Sequence, residues 1–166
     1  MRRTALVAVT STVFLGLGAL TVSAVSAADD RRDDGETLQF DVRFSPQALI
    51  ATANERDPDS PLSLGDANVF HDQLLVDEER VGDQTGSCVI TALAPQILAN
   101  CSLVVRLPDG EITGQFATSP GPDPKPLALT GGTGAYRDIG GEGTLVEFGD
   151  DTGTLTLELV HFRTRR

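Results

Sequence analysis

The stretch Leu129 to Val146, LTGGTGAYRDIGGEGTLV, carries glycine at positions 131, 132, 134, 140, 141 and 143, and it limits what the chain can become. Glycine enters positive φ without steric penalty, so GGTG after an apolar run can reverse the chain sharply. The later glycines let a strand bend or approach another backbone closely. The stretch therefore reads as strand, tight glycine turn and second strand, the chemistry of a barrel corner. Glycine-rich turns also cradle phosphates, but Arg137 stands where the third glycine of G-x-G-x-x-G belongs, and no Gly-Lys-Ser/Thr follows. A nucleotide site is not expected.

Residues 1–28 stand apart from the fold. Arg2 and Arg3 precede an apolar run from Ala5 to Ala24 that ends in small residues, the pattern of a secretory signal peptide. Cleavage after Ala27, or one residue later, leaves roughly 138 residues, the size of one domain. An uncleaved membrane anchor is the alternative, disfavoured by the threonines and serines that dilute the run. No cysteine stands near the cleavage site, so the mature chain reads as freely secreted and without membrane contact.

Removing Arg2 and Arg3 from the 13 basic residues leaves 11 against 24 acidic ones, a net charge of −13. Such a surface repels phosphate backbones and anionic membranes, which argues against nucleic acid as a partner. Residues 29–36 (DDRRDDGE) contain no apolar side chain and read as a solvated, disordered acidic arm. The folded domain is then expected over residues 37–166.

Cys88 and Cys101 are the only cysteines, an even count in a chain with an export signal, and are expected to form one disulfide. Their midpoint falls between Ala94 and Pro95, inside the turn LAPQIL that separates SCVITAL from NCSLVVRL. In an antiparallel hairpin that symmetry sets the two cysteines opposite one another. A free-thiol nucleophile is the lesser alternative.

Along the mature chain, Thr37 to Ser45 alternates, with Leu38, Phe40, Val42 and Phe44 on one face of a half-buried strand. Gln47 to Glu55 is a short helix or a strand, with strand favoured. Arg56 to Gly65 is a loop by its prolines, aspartates and serines. Asn68 to Arg80 reads as one long strand. After the cysteine strands, Asp109-Gly110 signals a two-residue turn into Glu111 to Thr118. Ser119 to Pro126, with four prolines, is a loop. Gly149 to Gly153 turns into a last strand, Thr154 to Arg163, with Leu155, Leu157 and Leu159 on one face. Eight or nine short strands with connections too short for parallel crossovers imply an all-β chain, a single antiparallel up-and-down eight-stranded barrel, with a two-sheet sandwich as the runner-up.

Three blocks in order resemble the allene oxide cyclases and their bacterial barrel-like relatives, with the dirigent proteins more distant. They are Asn54-Glu55-Arg56-Asp57 with Ser60-Pro61; Ser63-Leu64-Gly65-Asp66 through Val69 to Leu74; and Gly86-Ser87-Cys88-Val89 with Thr130 to Gly134. The resemblance implies a calycin-type eight-stranded barrel, usually self-associating in the plant enzymes, with an apolar lumen open at one end and no cofactor. In the cyclases an asparagine-anchored water holds the epoxide oxygen of a fatty-acid substrate and a glutamate stabilises the cation. Carried over by position, Asn54, Ser60 and Pro61 match the polar mouth of that site. Asp72 stands where the water-binding asparagine would be, and Thr52 where the glutamate would be.

Asp72 also draws notice on its own. On a strand, Phe70, Asp72, Leu74 and Val76 share one face, so an apolar face carries a carboxylate in its middle. A buried carboxylate is costly unless hydrogen-bonded or neutral. The pattern suits a general acid or ligand anchor flanked by Phe70 and Leu74. It equally suits a structural aspartate that caps a turn or pairs with Arg106 or Arg137. His71 and His161 fall on positions facing solvent, no G-x-S-x-G is present, and no acidic loop has calcium-ligand spacing, so neither a hydrolase triad nor a metal site is expected. The chain is expected to bind an apolar small molecule in its lumen. It would act either as a cofactor-free cyclase or isomerase using Asp72 and Asn54, or as a non-catalytic dirigent-type barrel, with a filled structural barrel as the remaining alternative.

Overall fold

The computed structural model describes residues 35–46, 62–162 and the backbone of 48–50. Among the described residues there are nine strands: β1 (Glu36–Arg43), β2 (Ala48–Ile50), β3 (Ala67–Val76), β4 (Glu79–Ala92), β5 (Leu98–Leu107), β6 (Gly110–Thr118), β7 (Lys125–Gly132), β8 (Ile139–Glu147) and β9 (Thr152–His161). They lie in the order β1-β9-β8-β7-β6-β5-β4-β3-β2, and β1 also pairs with β3. Every pairing is antiparallel. The β1–β3 contact closes β1 and β3 to β9 into an eight-stranded up-and-down barrel, as the turn spacing predicts, with no α-helix among the described residues.

The closing seam is short. β1 pairs Asp41, Val42 and Arg43 with Leu75, Leu74 and Gln73, and β2 then pairs Ala48 to Ile50 with Val69 to Ala67. Between them the ladder breaks, opposite Phe70, His71 and Asp72.

Alternation places one face of each strand in the lumen. On β9, Leu155, Leu157 and Leu159 are fully buried while the residues between them face outward. Leu155, opposite Leu145, lies nearer one end of the barrel, while Leu157 and Leu159 pack with Leu103, Val105, Ile112, Leu129 and Ile139 toward the other, nearest the β3–β4, β5–β6 and β7–β8 connections. That half of the lumen is solid.

Three segments fold differently from the sequence expectation. Instead of running to Arg80, β3 stops at Val76. Asp77 and Glu78, with φ of 51° and 67°, make a two-residue turn, and β4 begins at Glu79, ahead of the expected Ser87. Consecutive positive φ values match the twist of a tight hairpin, a geometry that glycine or asparagine normally announces. A register shift between Leu74 and Leu75 buries Leu75 and leaves Val76 41% exposed, which takes Val76 off the Phe70 face.

The GGTG segment is not a tight hairpin either. β7 continues to Gly132, and residues 133–138 contain a 3-10 turn, Gly134–Tyr136, that docks on the β5–β6 turn. The Ala135 N–H donates to the Asp109 carbonyl at 2.9 Å, and Thr133 Oγ1 accepts from the Glu111 N–H at 3.1 Å. Gly134 has φ of 61°, and a Cβ there would overlap the Asp109 carbonyl, so only glycine fits. Finally, the proline loop ends early, with Lys125 and Pro126 already in β7. Pro126 lies where β7 pairs with β8 alone, ahead of its first β6 partner at Ala128, a place that tolerates a missing N–H.

Candidate functional site

The other half of the barrel is hollow. A cavity of about 650 Å³ lies where β1, β4, β6 and β8 end and β3, β5 and β7 begin. Its apolar wall includes Phe44, Phe70, Ile90, Phe116 and Leu145, and its polar wall includes Asp72, Gln84, Lys125 and Glu147.

Asp72 is 1% exposed and stands opposite Gln84 in the β3–β4 register. Gln84 Nε2 donates to Asp72 Oδ2 at 3.0 Å, and the Ser45 N–H donates to Oδ1 at 3.0 Å. Ser45 reaches it from just beyond β1, where the ladder is broken. Each carboxylate oxygen thus accepts one protein hydrogen bond, which offsets its burial. Arg106, one of the expected partners, instead lies 3.4 Å from Glu111 on the surface, and Arg137 is exposed.

A second polar pole sits across the cavity. Lys125 faces inward in phase with Leu127 and Leu129, because β7 alternates from its first residue. Its ammonium donates to the Gly121 carbonyl at 2.7 Å, the Asp123 carbonyl at 3.4 Å and Glu147 Oε2 at 3.1 Å. At the rim, the Thr152 hydroxyl holds the fully exposed Asp150 carboxyl below the usual range.

The Ser63 to Asp66 block is a positioning element. Ser63 N–H donates to Asp66 Oδ2 at 2.9 Å, Gly65 N–H donates to the Ile90 carbonyl and Ile90 N–H to the Asp66 carbonyl, both at 2.9 Å. This fastens the chain to β4 and sets Leu62 in the cavity wall. Cys88 and Cys101 are register partners with a Cα separation of 4.0 Å and form the expected disulfide, Cys88 lining the cavity.

Of the residues expected at a site, Asp72 and Phe70 lie in the cavity wall. Leu74 belongs to the packed core, fully buried, and does not line the cavity. Asn54, Thr52, Ser60 and Pro61 lie outside the described residues. His71 and His161 face outward, near Asp83 and Glu36 at 3.6 and 3.7 Å. Sequence reasoning missed Gln84, Lys125, Glu147 and Phe116. For Lys125 the signal was its phase with Leu127 and Leu129. Gln84 sits two residues from glycine and had no apolar neighbour to reveal its face. Among the described residues, no group of three or more His, Cys, Asp or Glu could hold a metal, and no helix is long and apolar enough to cross a membrane.

The family described as allene oxide cyclase barrel like domain matches residues 47–157. Among solved structures, pyocyanin demethylase is similar at 29% identity with a TM-score of 0.67, over 75% of this chain and 100% of that one. An exo-specific intermolecular Diels-Alderase shares 14% identity with a TM-score of 0.55, over 75% and 97% of the two chains. A Diels-Alderase from Streptomyces koyangensis shares 13% identity with a TM-score of 0.61, over 78% and 65%. At such identities the last two share the fold alone. No curated protein gives a significant match.

Proposed function

This chain belongs to the allene oxide cyclase barrel-like family, and we propose that it is an exported barrel that takes an apolar small molecule into its hollow half and rearranges it as a cyclase or isomerase. The observation that carries this reading is the buried Asp72 carboxylate, held by Ser45 and Gln84 in the wall of the cavity beside the aromatic Phe70. The volume suits a ligand of drug size. Phe44, Phe70 and Phe116 would exclude water and confine the substrate to one reactive conformer, a restriction worth on the order of several kcal/mol. Asp72 would accept a hydrogen bond or a proton from a substrate oxygen. Return of that proton at another atom keeps the reaction balanced, with no electrons gained or lost. Structural neighbours named as a demethylase and Diels-Alderases support processing of small organic molecules on this barrel. The N-terminal pattern and the disulfide support export.

A non-catalytic binding barrel is the second reading. It is favoured by the fact that each Asp72 oxygen already has a protein donor, as a structural anchor would.

Native mass spectrometry of the mature, oxidised protein from its own culture medium tests both readings. A co-purifying apolar molecule is expected, and Asp72→Asn should abolish its conversion. Undiminished conversion by Asp72→Asn would reject the catalytic role. No adduct, even after soaking with fatty-acid and polyketide extracts, would reject a ligand site altogether.

A further inference from the structure

Gln84 Oε1 is a buried acceptor with no hydrogen-bond partner among the described residues. The side chain is 1% exposed and lines the cavity. Its amide cannot simply turn over. Asp72 Oδ2 accepts from Nε2 and Asp72 Oδ1 accepts from Ser45, so a reversed amide would press oxygen against oxygen. The oxygen is therefore left for something else.

The charged side chains of the wall have the same bias. Asp72, Glu147 and Asp151 all line the cavity, against the single ammonium of Lys125 among these charged groups. That ammonium has three N–H bonds, and the Gly121 carbonyl, the Asp123 carbonyl and Glu147 take all three. Among the charged groups, carboxylates outnumber the one cation, whose donors are spent on the protein.

We infer that Gln84 selects the ligand by a hydrogen-bond donor: the molecule bound in the hollow carries an O–H or N–H, on an otherwise apolar body, that pairs with Gln84 Oε1. This rests on the cavity being a ligand site, as proposed above. An unpaired buried acceptor costs free energy that such a donor recovers. A ketone, ether or epoxide of the same shape offers only acceptors and leaves Gln84 unpaired, the situation in which hydrogen-bonding sites discriminate most strongly. The aromatic side chains Phe44, Phe70 and Phe116 favour a flat body.

Two fluorescent probes test it on the unaltered oxidised protein. 1-Hydroxypyrene and 1-methoxypyrene share a ring system and an oxygen, but only the first has an O–H. Titrations below the pH at which the hydroxyl ionises should show the hydroxy probe binding at least about tenfold tighter, the increment of one good hydrogen bond. Gln84→Met, its folding checked by circular dichroism, should level the two. Equal binding of both probes to the native protein overturns this inference and leaves the ligand site standing. A preference that survives Gln84→Met overturns the assignment to Gln84. Binding of neither probe counts against the cavity reading itself, and the inference falls with it. The native comparison decides the matter even if the variant does not fold.

Discussion

Lys125 Nζ and Glu147 Oε2 lie 3.1 Å apart at the cavity mouth, the lysine side chain 8% exposed and the glutamate 36%. A lysine so deeply placed is rare without partners. Here the same ammonium also holds two carbonyls of the proline loop, so one cation joins β7, β8 and residues 119–124. Water on the glutamate side weakens the ion pair, and the loop carbonyls supply the rest.

Lys125→Met should therefore lower stability by about 1–3 kcal/mol in urea unfolding. It should also speed amide hydrogen exchange across residues 119–124. Unchanged loop protection would show that the prolines alone hold the loop.

Asp72→Ala and Asp72→Asn should part company. Alanine strands the Ser45 N–H and the Gln84 amide, each unpaired buried donor costing about 1–3 kcal/mol. With asparagine, the new carbonyl accepts from Ser45, and Gln84 turns its oxygen toward the new amide. Thermal unfolding should rank Asp72→Asn above Asp72→Ala. Because Gln84 then offers an N–H to the cavity, the pyrene preference should invert in the asparagine variant. Loss of binding to both pyrenes in a folded Asp72→Asn protein would contradict that rearrangement.

Cleaving the Cys88–Cys101 bridge, which closes a loop with a sequence separation of 13, should cost about 3 kcal/mol by the loop-entropy relation. Urea midpoints with and without reductant measure it. The loss should fall on the hollow half, since Cys88 is part of its wall.

Tyr136, the only tyrosine in a chain without tryptophan, can be titrated alone by its phenolate absorbance. Burial first, then the Glu36 and Asp109 carboxylates, push its pKa above the ordinary 10.0. The sign follows from linkage: with the folded pKa raised, the contribution is fully present below 10.0 and is lost as pH rises through the folded value. The absorbance midpoint should lie above 10.0 in the native protein and fall in Glu36→Gln. A native midpoint at the ordinary value would contradict this environment.

Much of the barrel was legible because its strongest signals are periodic. Leu38, Phe40 and Val42, the three β9 leucines, and the symmetric cysteines each fixed a face or a register. The failures are physical as well. Asp77 and Glu78 take positive φ without glycine, a choice the surrounding hairpin imposes and composition does not announce. The bulge at Leu74 and Leu75 shifts phase within one strand, which alternation cannot foresee. Asp72 stood out because it interrupts an apolar face. Gln84 and Lys125 did not, since one lies in a polar run and the other behind prolines, and only the closed barrel brings all three to one cavity.

The split between a solid end and a hollow one separates what keeps this chain folded from what it handles. Exchanges among Phe44, Phe70 and Ile90 reshape the hollow while leaving Ile139, Leu157 and Leu159 in place toward the far end. A barrel divided in this way can change the shape of its hollow at one pole while the packing at the other continues to hold the strands together. Barrels of one architecture are thereby free to acquire unrelated substrates.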